Sequence, residues 1–194
     1  MKYYIISMLI CLSTMLCLSY LPSKQDNLSK SEILIDSISK QEILKENLKI
    51  NLTEEVKNYI SNNSKHSDES LITEISEQIV NKALDNHIDI CFILAQGHIE
   101  TAFGSYGIGR SKKSIFGVYK NYSSYTDCID FYINLLRKNY LVNKTEHDLM
   151  NNYISKQGYR YAEDLTYESK LKKCYNKIKA STEIFIIQKK YHTT

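Results

Sequence analysis

Apolar residues recur along this chain at the three- and four-residue spacing of helices buried on one face. Leu71, Ile75, Ile79, Val80 and Leu84 form one such stripe, and Ser67-Asp68 marks its start. Tyr125 to Tyr140 predicts a second helix, with Cys128, Ile129, Tyr132, Leu135, Leu136 and Tyr140 as its apolar set. A third starts near Thr166, capped by Asp164, and carries Leu171, Cys174, Tyr175 and Ile178, with a continuation through Ile184, Phe185 and Ile187. Leu52 to Ile60 reads as a shorter helix with Thr53 near its start, and Asp148 to Ile154 as a helix or turn. The Gly- and Ser-rich stretch Ser105 to Ser114 predicts a loop, and Ile115 to Tyr119 a short strand of a small hairpin.

One run differs from these in kind. Phe92 to Gly104 is apolar, stops at a glycine and carries a single carboxylate, Glu100, near its end. Asp89 is placed to cap it after the break at Asn86 to Asp89. Phe92, Ala95, Ile99 and Ala102 share one face, while Gln96 and Gly97 share the face of Glu100, where Gly97 is expected to leave open space. Burial raises a glutamate pKa from about 4.3 towards 6 or 7. A carboxyl held that way keeps its proton near neutrality and serves as a general acid for a leaving oxygen. His98 lies about 200° round the same helix from Glu100, so it is expected outside any site that Glu100 forms.

Composition narrows the setting. One proline, six glycines and 16 tyrosines in 194 residues suit a helix-rich fold with few tight turns. The charge of +3 is too weak to imply nucleic acid and only mildly favours a polyanionic surface such as a cell wall. With no tryptophan, Tyr and Phe must supply any aromatic platform for a ligand. Met1-Lys2 followed by an uncharged run to Leu21 predicts export, by a cleaved signal or a membrane anchor. This divides the chain into an export segment over 1–21, a polar, weakly helical linker over 22–50 and a folded domain over 51–190. Cys91, Cys128 and Cys174 lack any C-x-x-C pairing, so they make neither a zinc site nor a disulfide framework, and Cys91 is expected as a buried free thiol.

Four segments then occur in a recognisable order. Ala95-Gln96 with Glu100 and Gly104 is followed by Ser114-Ile115-Phe116-Gly117-Val118. Next come Tyr122-Ser123-Ser124 through Ile129, and last Tyr161-Ala162-Glu163-Asp164-Leu165-Thr166-Tyr167. Together, over about Leu52 to Ile178, they resemble the glucosaminidase family of peptidoglycan hydrolases, which includes bacterial autolysins and flagellar muramidase domains. The resemblance implies a mainly α, lysozyme-like two-lobed helical domain with at most a short β-hairpin. It implies cleavage of the β-1,4 bond between N-acetylglucosamine and N-acetylmuramic acid in peptidoglycan glycan strands, without metal or organic cofactor. By matched position Glu100 becomes the general acid, Tyr161 lines the cleft, Phe116, Gly117 and Tyr119 form the sugar-site floor, and Gln96 joins the substrate-binding set.

The departures from the family pattern matter as well. Gly97 stands where the family carries alanine, which is expected to widen the site, and Ser114 replaces an asparagine expected to reach the sugar. Many members carry a second acid between the Phe-Gly segment and the next helix, yet Tyr119 to Ser124 holds no carboxylate. The nearby candidates are Asp127, Asp130, Glu146 and Glu163, of which the first two sit where a helix macrodipole explains them. Two rivals stay open: a lysozyme or lytic transglycosylase cutting the other glycosidic bond, and a catalytically idle glycan-binding or assembly module.

Overall fold

The computed structural model describes residues 24–118 and 120–194, so the expected export segment over 1–21 and the floor residue Tyr119 lie outside the described residues. Helix α1, Lys24–Asn63, runs for 40 residues. No glycine or proline falls within it, and nothing else in that stretch ends it. The expected break before Leu52 is therefore absent. Thr53 sits inside α1 and donates its hydroxyl to the Lys49 carbonyl at 2.9 Å instead of capping a helix.

The chain separates into two units, the first ending at Leu44 and the second running from Lys45 to Thr194. In the first, Ile35, Ile38, Ile43 and Leu44 on α1 are exposed. In the second, the α1 residues Leu52, Val56, Tyr59 and Ile60 make a buried stripe at helix spacing.

The second unit is built round one short helix. α2, Glu69–Asn86, starts where Asp68 Oδ1 accepts the N–H groups of Ser70 and Leu71 at 3.0 and 3.3 Å, and ends at left-handed His87. Its buried face is Ile72, Ile75, Ile79, Val80, Ala83 and Leu84, with Leu71 half-buried at the margin. α3, Ile90–Thr101, begins where Asp89 accepts the Cys91 N–H at 2.8 Å, as its sequence predicts. Every residue from Ile90 to Gly97 is buried, so the helix has no wet side over its first two turns. Further along the chain come α4, Gly107–Lys112, α5, Tyr125–Leu135, α6, Glu146–Leu149, α7, Tyr167–Ser181, and α8, Ile184–Thr193. α7, α8, α2 and α4 all pack on α3. At about 1.5–3 kcal/mol for each large apolar side chain, that burial fixes α3 as the core of the unit.

α3 ends earlier than its glycine suggests. Ala102 and Phe103 are already left-handed, with φ of 46° and 61°, ahead of Gly104 at 75°. Non-glycine residues in that region cost roughly 1–2 kcal/mol each. The fully buried Phe103 ring, and its N–H bound to the Gly97 carbonyl at 2.9 Å, offset the cost. This also corrects the reading of Gly97. A Cβ there would lie 3.0–3.1 Å from Ile115 and the Phe103 ring, so Gly97 receives those side chains and opens no space beside Glu100.

Two further segments depart from expectation. The stretch Ser105 to Ser114 contains α4 where a loop is expected. Ile115 to Val118 is no strand, because side chains occupy its backbone groups. Thr101 donates to the Ile115 carbonyl at 2.7 Å, the Cys128 thiol sulfur accepts the Ile115 N–H at 3.3 Å, and Ser114 donates to the Val118 carbonyl at 2.8 Å. Ser114 thus closes a buried turn and does not line the cleft beside Glu100. Among the described residues the only β pairing is an isolated antiparallel bridge between Ile154 and Arg160. α5 starts at Ser124, whose hydroxyl accepts the Asp127 N–H at 2.9 Å, and passes into a π turn over Leu136–Tyr140. The continuation expected after α7 is a separate helix, α8, beyond extended Thr182. Cys91 and Cys128 are buried free thiols, Cys174 is half-buried, and none is bridged. No helix among the described residues is long and apolar enough to cross a membrane.

Candidate active site

The last turn of α3 delivers Glu100 to a cleft of about 620 Å³ lined by Gly117, Tyr140, Tyr161, Glu163 and Tyr167 among others. The carboxyl is held from two sides. Tyr167, at the start of α7, donates its hydroxyl to Glu100 Oε1 at 2.6 Å. Gly117 lies against the other oxygen: a Cβ there would sit 2.1 Å from Oε2 and 2.7 Å from the carboxyl carbon. With φ of +68°, Gly117 holds a conformation that side-chain-bearing residues avoid, so the close approach and the backbone both require glycine.

Burial pushes the Glu100 pKa up, and the Tyr167 hydrogen bond, which favours the charged form, opposes it with the smaller effect. Tyr167 thus occupies Oε1 as a donor, while Oε2 lies beside Gly117 at the cleft wall. The two carboxyl oxygens sit in different surroundings, one held by a hydroxyl donor and the other against a glycine.

The sequence-predicted residues sort by depth. Gly117 and Tyr161 line the cleft with Glu100. Gln96 and Phe116 do not line it; both are fully buried beneath, which corrects their placement as substrate contacts. Gln96 is instead a frame member. Its Oε1 accepts the hydroxyl of Tyr153 at 2.9 Å and that of Tyr132, while its buried Nε2 has no partner among the described residues. Tyr132 stacks on Phe116 with centroids 3.7 Å apart, and Tyr153 stacks on Tyr161 at 4.4 Å. Tyr161 in turn donates to the Phe116 carbonyl at 2.5 Å, next to Gly117. One buried amide, three phenols and the Phe116 ring thus fix the peptide that presses on Glu100.

Tyr167, Tyr140 and Tyr153 carry this arrangement and were given no role by sequence. Tyr167 had a signal, since it closes the segment that opens with Tyr161. The two stand six positions apart, and their ring centroids lie 5.5 Å from each other. Tyr140 and Tyr153 meet edge to face at 5.1 Å across the π turn of α5, a departure from helical geometry that no local sequence pattern announces.

The other acids lie elsewhere or are engaged. Asp127 accepts the Ser123 hydroxyl at the start of α5. Asp130 pairs with Lys82 at 2.9 Å and Gln78 at 2.8 Å. Glu146 accepts the Asp89 N–H at 3.1 Å in a second cavity, of about 350 Å³. Asp164 lines the cleft, but it accepts the Thr166 N–H and hydroxyl on one oxygen and Lys170 on the other, which hold its pKa well below the carboxylate range. His98 bonds to the Tyr59 hydroxyl at 3.0 Å and does not line the cleft.

The family model described as mannosyl-glycoprotein endo-beta-N-acetylglucosaminidase matches residues 76–180. That span runs from within α2 to the end of α7 and holds Glu100, Gly117, Tyr161 and Tyr167. No curated protein and no solved structure matches the chain. With more than half of its length matched, and the acid and its tyrosine partners inside the match, the chain belongs to the glucosaminidase family and is a glycoside hydrolase.

Proposed function

We propose that this protein is a peptidoglycan hydrolase that cleaves the β-1,4 bond between N-acetylglucosamine and N-acetylmuramic acid, with Glu100 as the general acid. The observation that carries the reading is a half-buried carboxyl with a raised pKa that borders an open cleft. Protonation of the departing sugar oxygen by Oε2 removes the need to expel an alkoxide, and positioned acids of this kind contribute about 10²–10⁴-fold. Tyr167 keeps Oε1 as the acceptor, and Gly117 lets the peptide lie flat against Oε2. Tyr140, Tyr161 and Tyr167 give the cleft an aromatic wall in a chain without tryptophan, which suits the apolar faces of pyranose rings. The export segment expected over 1–21 would deliver such an enzyme to the cell wall, where its substrate lies.

The test is mass spectrometry of purified peptidoglycan treated with the full chain and with Glu100→Gln. Fragments ending in reducing N-acetylglucosamine, absent with the variant, are expected. Reducing or anhydro muramic-acid ends would move the enzyme to the lysozyme or lytic transglycosylase class. Binding without cleavage by the unaltered chain would make it a glycan-binding module.

A further inference from the structure

Resting on that reading, we infer that Glu163 is the second catalytic carboxylate, the base that activates water after Glu100 has protonated the leaving group. A glycosidase with paired carboxyls needs one protonated and one ionised partner, and contrasting environments set the two roles. Among the described residues three carboxyl groups line the cleft: Glu100, Glu163 and Asp164. Glu100 is the half-buried one, held by Tyr167 and pressed by Gly117. Asp164 has both oxygens engaged by Thr166 and Lys170, which leaves it poorly placed to accept a proton from water. Glu163 is exposed, and among the described residues no hydrogen bond or ion pair engages it. Asp127, Asp130 and Glu146 are bound to other partners and do not line the cleft.

The loop that bears Glu163 is fixed at both ends to the Glu100 corner. Tyr161 bonds to the Phe116 carbonyl at 2.5 Å on one side, and Tyr167 bonds to Glu100 at 2.6 Å on the other. Asp164 clamps the middle of the loop onto the first turn of α7 through Thr166 and Lys170. The backbone at 163 is therefore held while its carboxylate stays unengaged. This assignment also explains how the chain dispenses with an acid between Tyr119 and Ser124.

The step balances as follows. Glu100 gives its proton to the glycosidic oxygen and the bond from C1 of N-acetylglucosamine to that oxygen breaks. A water oxygen bonds to C1 while its proton passes to Glu163. Glu163 then releases that proton to solvent and Glu100 regains one, so the net change is addition of one water.

The test uses the full chain, Glu163→Gln and Glu100→Gln on purified peptidoglycan, with and without sodium azide, and identifies products by mass spectrometry. Glu163 is exposed, so its variant is expected to fold, with circular dichroism as the check. Turnover by Glu163→Gln should fall about a hundredfold or more, and azide should restore it with fragments ending in N-acetylglucosaminyl azide. Turnover near that of the unaltered chain, or a loss that azide does not repair, would overturn the assignment. Full cleavage by Glu100→Gln would instead sink the acid role on which the inference rests, and the two failures are distinguishable.

Discussion

Glu100 and Glu146 look alike on burial alone. Both are half-buried glutamates, each borders a cavity, and burial is the largest cause of a raised pKa in both. Their partners separate them. Glu146 accepts a backbone N–H, that of Asp89, and so ties the start of α6 to the residue that caps α3. Glu100 is held by a tyrosine hydroxyl and pressed by a glycine, with no backbone N–H on it. A carboxyl bound to a backbone N–H is committed to the fold. One positioned by a side-chain donor at an open cleft keeps an oxygen for a reactant. A raised pKa therefore marks a candidate, and the nature of its partners decides between structure and chemistry.

The sharpest way to break the comparison is to neutralise each glutamate. Glu100→Gln should lower peptidoglycan cleavage by about a hundredfold or more, while Glu146→Gln should stay within about threefold, measured as release of reducing ends. Equal losses would end the distinction.

Two of the four glycines with positive φ give a second contrast. Gly117 and Gly158 both have positive φ, at 68° and 88°. An added Cβ meets Glu100 at the first and nothing within 4 Å at the second. Alanine at Gly158 should cost about 1–2 kcal/mol by denaturant unfolding, the backbone penalty alone, and alanine at Gly117 should cost more, because its Cβ also meets the Glu100 carboxyl. Only Gly117→Ala should also abolish most activity, because it displaces the Glu100 carboxyl.

Stability against pH should pair what activity separates. A carboxyl with a raised folded-state pKa binds its proton more tightly folded than unfolded, so its contribution is present below the ordinary value near 4.5 and is lost as pH rises through the folded pKa. Both Glu100→Gln and Glu146→Gln should therefore gain thermal stability over the unaltered chain at pH 7. The gain should shrink as pH falls to 4. The gain at Glu100 would come with lost function, the usual trade at a site that holds an unfavourable group.

Sequence reading was strongest where a local rule decides. The caps at Asp68 and Asp89, the stripe of α2 and the place of Glu100 in a last helical turn follow from residue spacing and short-range hydrogen bonding. It failed where distant side chains decide. Ile115 to Val118 has the composition of a strand, but Thr101, Cys128 and Tyr161 take its backbone groups from three other segments. Gly97 is a glycine for Phe103, which turns back onto it through two left-handed residues that no propensity predicts. Gln96 and Phe116 were matched to the site by motif. They serve it from below, because depth in the core is not encoded in spacing along the chain.

The most direct test of the Glu100 assignment is the alkaline limb of kcat/KM for peptidoglycan cleavage, compared between the unaltered chain and Tyr167→Phe. The Tyr167 hydroxyl favours the charged form of Glu100, so its removal raises the acid's pKa further. The limb should move to higher pH, with a modest fall in kcat from the lost orientation. A limb that stays in place while activity persists would mean that the proton is delivered by another group.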